Sequence, residues 1–303
     1  MKMTKITVPE EFDITSLEEF IKQLYWYDNK TSVEIDLSKL KFIRPSGLAV
    51  LAAYTQYLKV TGLFENRRTI LWPNDSDVIR YLKRMDFHQM LDIKTSENFS
   101  RRNGTGKFQE LYQVDNEDEI SCIIGSLEQI LQRRSKLSGD FVNIMRYALH
   151  EILENLFNHA NSPINGVICG QSYPKLKKVQ FAIVDVGIGI PKSLRSNPKY
   201  SRLSDKKCLL ESIKSKVTSK PNANTGEGLF FASKIAQLND GLFYILSLNA
   251  RLEARGKPIA QDAPYWQGTI IVFEVPYFVK KSVENIFNKF APPENDFELV
   301  EEL

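Results

Sequence analysis

The segment HEILENLFNHA occupies positions 150–160, and three further segments follow it in a fixed order: DVGIGIP at 185–191, TGEGL at 225–229 and GT at 268–269. One glycine-rich stretch alone would be a weak indication, because turns and helix caps use glycine routinely. Four segments of different chemistry in this order are hard to obtain by chance. Together they predict a nucleotide pocket.

The first of these segments lies on a predicted helix. Apolar residues recur at helical spacing at positions 144, 148 and 152. Glu151, Asn155 and Asn158 lie four and three residues apart, so their side chains share one face of that helix. Packing alone explains this face poorly, because an unpaired buried polar group costs roughly 1–3 kcal/mol. The pattern therefore predicts a polar ligand beside the helix.

The next two segments add backbone features typical of ligand sites. DVGIGIP follows a predicted strand at 179–184 and places Asp185 at its end, while Gly187 and Gly189 permit close approach of the backbone to a ligand. TGEGL opens a predicted helix, and Gly226 and Gly228 form the turn before it. A glycine turn at a helix N-terminus presents N–H groups to phosphates.

The four segments resemble the ATP-binding domain of the GHKL, or Bergerat-fold, proteins, which include gyrase, heat-shock chaperones, histidine kinases and mismatch-repair ATPases. The resemblance covers about residues 109–280. It implies a two-layer α/β sandwich that binds ATP and Mg²⁺.

The resemblance also implies roles for individual residues. Asn155 matches the residue whose side-chain oxygen binds Mg²⁺, a cation that prefers oxygen ligands. Glu151 matches a general base that deprotonates water or a substrate hydroxyl, with a solvated helix carboxylate as the alternative. Asp185 matches the acceptor of the adenine amine, which selects ATP over GTP. His159 either contacts ATP or is a satisfied core histidine, and His150 is interpreted as structural.

The other residues that the resemblance assigns to nucleotide binding are Asn158, Gly187, Gly189, Gly226, Gly228, Leu229 and Thr269. Between the second and third segments, residues 191–224 are basic and rich in Ser and Asn. They are interpreted as an ATP lid, a mobile segment that orders over the phosphates. Their charge either attracts phosphate or keeps the segment solvated.

The N-terminal third predicts two strand–turn–helix units. A strand is predicted at 32–37 and a helix at 48–58, followed by a strand at 69–72 and a helix at 78–85. Alternating strands and helices imply a sheet covered by helices.

The phrases IDLS at 35–38 and FIRPSGLAVL at 42–51 resemble a STAS domain, the fold of anti-sigma-factor antagonists, over about residues 1–95. STAS phospho-switches usually carry DSSG at this turn, where Arg44 and Pro45 here replace the aspartate and the acceptor serine. Ser46 is therefore interpreted as a helix cap. The resemblance implies a docking or regulatory domain without chemistry of its own.

The predicted organisation is a STAS-like α/β domain at 1–95, a linker at 96–108, the GHKL domain at 109–280 and an acidic tail at 281–303. A hydrophobic content of 43% is ordinary for a globular protein, and no apolar run approaches the roughly 20 residues of a membrane span. We expect a cytoplasmic location, since no signal peptide is visible. Cysteines at 122, 169 and 208 are too scattered for disulfides or zinc and are interpreted as buried small hydrophobes.

The leading functional prediction is a regulatory protein that binds Mg·ATP, hydrolyses it slowly and couples lid closure to control of a protein partner, which binds through the STAS-like domain. One alternative is a serine/threonine protein kinase of the anti-sigma type that acts on a separate protein. The other is a nucleotide-gated binding module without catalysis. A second copy of the chain is one candidate partner, as a homodimer. Nucleic acid is not indicated as a partner, because the net charge of +3 is too small.

Overall fold

The computed structural model describes residues 2–24, 26, 31–63, 70–97, 99–101, 103–134, 137–156, 161–219 and 226–278. Its helices and its parallel and antiparallel strands confirm the predicted mixed α/β class. The predicted acidic tail lies outside these residues. Within the described ranges, no helix combines the length and the apolar character needed to cross a membrane.

The N-terminal elements are β1 (Lys2–Thr7), β2 (Glu11–Phe12), α1 (Leu17–Ile21), β3 (Thr31–Asp36), β4 (Phe42–Ile43), α2 (Pro45–Val60), β5 (Ile70–Leu71), α3 (Ser76–Arg84) and α4 (Phe87–Met90). The elements that follow are β6 (Phe108–Val114), α5 (Glu119–Arg134), α6 (Gly139–Asn155), β7 (Gly166–Tyr173), β8 (Lys178–Asp185), α7 (Ile190–Arg195), α8 (Asp205–Ser212), α9 (Gly228–Leu238), β9 (Leu242–Ala254) and β10 (Ile259–Pro276).

Parallel strands form the N-terminal part of the protein. β3 pairs with β1 and β5, and the short β2 pairs with β4. Helix α3 begins at a capped turn, because the Asp75 carboxylate accepts hydrogen bonds from the N–H groups of Asp77 and Val78. Both predicted strand–turn–helix units are confirmed.

A five-stranded antiparallel sheet forms the C-terminal part, in the order β6-β7-β8-β10-β9. The apolar stretch at 179–184 lies in β8, as predicted. The register places Asp185, at the end of β8, opposite Thr269 of β10 and Gly166 of β7. Sequence segments that are far apart in the chain thereby meet at one end of the sheet.

Both faces of this sheet are buried. In β8, Phe181 and Ile183 pack in one cluster with α5, α6 and α9, whereas Ala182 and Val184 pack in a second cluster with the N-terminal part. A sheet covered on both sides needs apolar residues on both faces, so its strands have nearly continuous apolar sequences. The sheet therefore lies between a helical layer and the N-terminal part.

Helix α2 is the N-terminal element that packs on β7 and β8. It is buried from Pro45 to Leu58, as expected of a helix that is apolar on all sides. In its first turn, the Ser46 backbone N–H donates to Gln180 Oε1 at 3.1 Å, and Gln180 Nε2 donates to Glu274 Oε1 at 2.8 Å. This buried polar bridge fixes the start of α2 on the sheet.

Ser46 does not cap α2, so that interpretation is wrong. The cap position is Arg44, and the Ser46 hydroxyl is buried with no hydrogen-bond partner among the described residues. Pro45 takes the first helical position, as proline often does, and this moves Ser46 inside the helix.

The interpretation of the three cysteines is wrong for one of them. All three are free, as predicted, and Cys169 and Cys208 are buried. Cys122 is exposed on α5. One side of α5 packs on the sheet and the other side faces water. The residue type of Cys122 alone does not show on which of these sides it lies.

Much of the predicted lid is folded as helices. Residues 190–212 contain α7, α8 and a short 3-10 turn at 198–200, which pack around Leu194, Tyr200 and Cys208. The Arg195 guanidinium donates to Asp205 Oδ1 at 2.7 Å between the two helices. The basic residues of the segment therefore lie on a structure with its own small core. Residues 220–224 are outside the described ranges.

The burial of Ser46 predicts a sharp difference between two substitutions. Ser46→Ala should leave the melting temperature unchanged or slightly raised, because the hydroxyl it removes has no hydrogen-bond partner in the part of the chain that the structure describes. Ser46→Asp should lower the free energy of unfolding by at least about 3 kcal/mol, because it buries an unpaired charge. Thermal denaturation measures both.

Ser76→Asp is the matched control, since Ser76 is the first residue of α3 and exposed. A carboxylate there should be neutral or stabilising because it lies at a helix N-terminus. Equal melting temperatures for Ser46→Asp and the wild type would show that the turn is open to solvent.

Candidate functional site

A cleft opens at the end of the sheet, where β8 and β10 meet the end of α6 and the start of α9. It measures about 830 Å³ with its open mouth included. Small-molecule sites combine apolar walls with a few polar groups. The apolar walls here come from Ile152, Leu156, Ile183, Ile190, Leu194, Val217 and Ile271.

Most of the predicted site residues line this cleft. They are Asn155, Asp185, Gly189, Gly226, Gly228, Leu229 and Thr269. Glu151 and Gly187 are described but are not among the lining residues, and Asn158 and His159 lie outside the described residues. The structure thus brings together residues from all four sequence segments.

Asp185 supplies a buried carboxyl group to the cleft, with 4% of the residue exposed. Burial raises the pKa of Asp185 to about 7, although hydrogen bonds from the Gly187 N–H and from the N–H and hydroxyl of Thr269 act to lower it. The Gly187 N–H lies 2.7 Å from Asp185 Oδ1. The carboxyl group therefore titrates near neutral pH and is an acceptor in its ionised form.

Gly268 allows β10 to lie against the backbone of Asp185. Its φ is +97°, and a Cβ there would lie 2.4 Å from the Asp185 carbonyl oxygen. The Gly268 carbonyl accepts a hydrogen bond from the Ser247 hydroxyl at 2.6 Å, and that hydroxyl accepts one from the Ile190 N–H at 3.0 Å. These bonds fix the backbone that leads into Thr269.

The first turn of α9 lines the cleft through Gly228 and Leu229. The cap residue, Glu227, makes no side-chain hydrogen bond to this turn. The first N–H groups of a helix have no partner within the helix, and they carry the positive end of its dipole. An anion is the ligand that such a helix end favours.

Gly228 also lets the start of α9 lie directly against α6. A Cβ at Gly228 would lie 2.4 Å from the Glu151 Cβ and 3.3 Å from the Ala148 carbonyl oxygen. Glu151 therefore lies beside the beginning of α9.

Glu227, the residue before Gly228, places a second carboxyl group close to Glu151. Burial and the charge of Glu151 raise the pKa of Glu227, whose Oε1 accepts a hydrogen bond from the Ser215 hydroxyl at 3.3 Å.

Asn155 is the last residue of α6 and lines the cleft. Its amide oxygen is a ligand that Mg²⁺ accepts, particularly when phosphate oxygens and water complete the shell. Across the described ranges, no three His, Cys, Asp or Glu side chains gather as a metal site. Among the residues that line the cleft, Asn155 therefore offers an amide oxygen and Asp185 a carboxylate as oxygen ligands.

His150 lies on the same helix but is half exposed, with its Nδ1 3.4 Å from Glu154 Oε1. It is not among the residues that line the cleft. Its interpretation as a structural residue stays a prediction.

Several polar residues of the cleft were not predicted: Ser193, Ser212, Thr218 and Ser219. The hydroxyls of Ser193 and Ser219 lie 3.2 Å apart. The only sequence signal was the serine-rich composition of the segment at 191–224, which gives no position for any one hydroxyl.

Comparison with known proteins found no matching family model and no significant match among curated proteins. The function is therefore argued from the residues and geometry of the cleft.

The contact between Gly228 and Glu151 predicts the effect of one added methyl group. Gly228→Ala should lower the free energy of unfolding by roughly 1–3 kcal/mol, because α9 has to move away from α6. Chemical denaturation measures the change.

Gly125→Ala is the matched control, because Gly125 lies within α5 and a Cβ there meets nothing within 4 Å. Alanine at this helical position should stabilise the protein by roughly 0.5–1 kcal/mol. Equal effects of the two substitutions would contradict the close approach of α9 to α6.

Proposed function

We propose that this chain is a regulatory protein that binds Mg·ATP in the cleft, with a GHKL-type domain over about residues 109–280 and a STAS-like unit before it. The observation that carries the proposal is the convergence of Asn155, Asp185, Thr269 and the first turn of α9 on one cleft. Each suits a different part of the ligand: an amide oxygen for a cation, a carboxylate for a base and a helix N-terminus for phosphates.

Asp185 would recognise the base. Its ionised carboxylate accepts a hydrogen bond, which fits the exocyclic amine of adenine. Guanine offers a carbonyl oxygen at the same place, and two acceptors facing each other would both be left unpaired in a buried site. The burial of Asp185 and its contacts with Gly187 and Thr269 support this role, because they hold the carboxyl group in one place.

The start of α9 would bind the phosphates. The N–H groups of Gly228 and Leu229 and the helix dipole favour negative charge at this end of the cleft. When bound, Mg²⁺ neutralises phosphate charge, and Asn155 is the residue that would hold it. ATP would then span the cleft, with its base at Asp185 and its phosphates at the start of α9.

Glu151 would determine whether ATP is hydrolysed. It lies one helical turn before Asn155, beside the start of α9, and is not on the wall of the cleft. A base in this position would act through an intervening water or after the segment at 190–219 moves, which favours slow turnover coupled to closure of that segment. The same position also favours a second candidate function, a nucleotide-gated binding module without catalysis.

The N-terminal part would connect nucleotide binding to a protein partner. Its helix α2 packs on β8, the strand that ends at Asp185. Residues 45–47, at the start of α2, are buried, so a partner would bind elsewhere on this part. Phe42 and Leu71 are large apolar residues of the N-terminal part that are 42% and 38% exposed.

Three substitutions test the pocket. Asp185→Asn and Asn155→Ala should each weaken Mg·ATP binding about tenfold or more, because each removes a charged or cation-mediated contact. Glu151→Gln should leave binding within about twofold and abolish hydrolysis. Calorimetric titration and phosphate release measure the two properties.

Glu154→Gln is the matched control for Glu151→Gln, since it makes the same change one turn along α6 on a half-exposed side chain. It should alter neither property. Wild-type affinity in both Asp185→Asn and Asn155→Ala would overturn the assignment of the cleft, whereas absent hydrolysis in the wild type with intact binding would favour the binding module.

The raised pKa of Asp185 predicts how ATP affinity depends on pH. Because the adenine amine binds the ionised carboxylate, affinity should be highest above the pKa of about 7. It should fall as the pH drops below that value, by up to about tenfold per pH unit. Titrations over a range of pH values measure the profile.

Asp185→Asn separates this effect from the titration of the ATP phosphates. Its amide does not titrate, so the part of the profile due to Asp185 should vanish and only the phosphate contribution should remain. Identical profiles in the variant and the wild type would contradict a direct contact between Asp185 and the base.

A further inference from the structure

The chain leaves the sheet after Asp185, and two consecutive carbonyls there are bonded by side chains. The indole N–H of Trp266 donates to the Asp185 carbonyl at 2.9 Å. The Gln267 Nε2 donates to the Val186 carbonyl at 3.0 Å. Buried carbonyls need a partner. Asp185 is the last residue of β8 and Val186 follows it, and side chains of β10 bond both carbonyls.

Irregular pairing in β10 places these donors. The register of β10 with β9 shifts on both sides of Trp266, between Asp262 and Trp266 and again between Trp266 and Thr269. Such bulges re-aim side chains next to functional sites. Between Trp266 and Thr269, the extra residues are Gln267 and Gly268, and Gly268 is the residue that lies against Asp185.

Trp266 is also held from the N-terminal side. It is fully buried, and its ring lies edge-on to the ring of Trp26, with centroids 5.1 Å apart. The Trp26 ring in turn contacts Tyr54 and Tyr57 of α2. The Trp26 indole N–H, unlike that of Trp266, is buried with no hydrogen-bond partner among the described residues. Of these two neighbouring tryptophans, only Trp266 donates its N–H in a hydrogen bond among the described residues.

We propose that Trp266 is a positioning residue for base recognition: its N–H holds the backbone of Asp185, and the aromatic cluster of the N-terminal part holds Trp266. The inference rests on the proposed function of Asp185. It explains how the N-terminal part is linked to the cleft, since Trp26 contacts the residue that fixes the recognition carboxylate. Trp266 touches Asp185 through the backbone and leaves its carboxylate free for the base.

Trp266→Phe and Trp26→Phe form a matched pair, since both remove one indole N–H from the same cluster. Trp266→Phe should weaken ATP binding roughly five- to tenfold and lower the ratio of ATP affinity to GTP affinity by a similar factor. Trp26→Phe keeps an aromatic ring beside Trp266 and removes only the indole N–H, so it should leave both within about twofold of the wild type. A general loss of stability would not change the ratio, so the ratio reports positioning.

Wild-type affinity and ratio in Trp266→Phe would overturn the inference. An equal loss in Trp26→Phe would overturn it as well, because the Trp26 N–H bonds no carbonyl of the described residues. Binding is measured by calorimetric titration of ATP and GTP on the full chain.

A second measurement needs no nucleotide and keeps Trp266 in place. The chain has three tryptophans, and the double variant Trp26→Phe/Trp72→Phe leaves only Trp266. Over the described residues, the groups that act on the Asp185 carboxyl are the uncharged donors of Gly187 and Thr269. Trp266 emission should therefore change with a midpoint near pH 7 as this carboxyl ionises.

Adding Asp185→Asn to the double variant should remove this transition. Because the histidines are unchanged in that variant, loss of the transition shows that they are not its source. A flat emission profile in the double variant, or one that persists with Asp185→Asn, would overturn the contact between Trp266 and Asp185. If the wild type binds no ATP, the proposed function fails, and the emission profile still decides whether Trp266 holds Asp185.

Discussion

Burial of both faces of the five-stranded sheet is the constraint on which the rest of the structure depends. One face packs on α5, α6 and α9 and the other on the N-terminal part, so both faces are apolar along most of the strands. The ends of the strands are the places where polar groups can meet a ligand without opening the core. The cleft lies at such a place, where the apolar stretch of β8 ends and that of β10 begins.

At this position a carboxyl group is buried, and burying its charge costs free energy. Asp185 is buried where the sheet ends, and its raised pKa shows that the surroundings disfavour its charge. The neighbouring groups offset part of that cost: Gly187 and Thr269 donate to the carboxyl group, and Trp266 donates to the backbone carbonyl. A ligand that offers one more donor would further stabilise the ionised form of this carboxyl group.

Sequence patterns predicted the helices and strands that are determined by residues within the element itself. The apolar run before Asp185, the helical stripe before Asn155 and the glycine turn before α9 each carry their own signal, and the structure has β8, α6 and α9 there. The prediction for Ser46 failed for one local reason and for one that lies far away in the chain. Ser46 fits a cap by its residue type, but Pro45 and a partner 134 positions later, Gln180, decide its surroundings.

The cleft shows the same division. Residues with a motif of their own were predicted, whereas the hydroxyls at positions 193, 212, 218 and 219 and the indole of Trp266 depend on how α7 folds and on the bulges of β10. The covering of the sheet by α2 has a further consequence for biosynthesis. The N-terminal part leaves the ribosome first, and the apolar surface of α2 has to wait for β7 and β8, more than 100 positions later. Such distant pairing is slow and leaves apolar surface exposed, so the nascent chain depends on protection from aggregation until β8 is made.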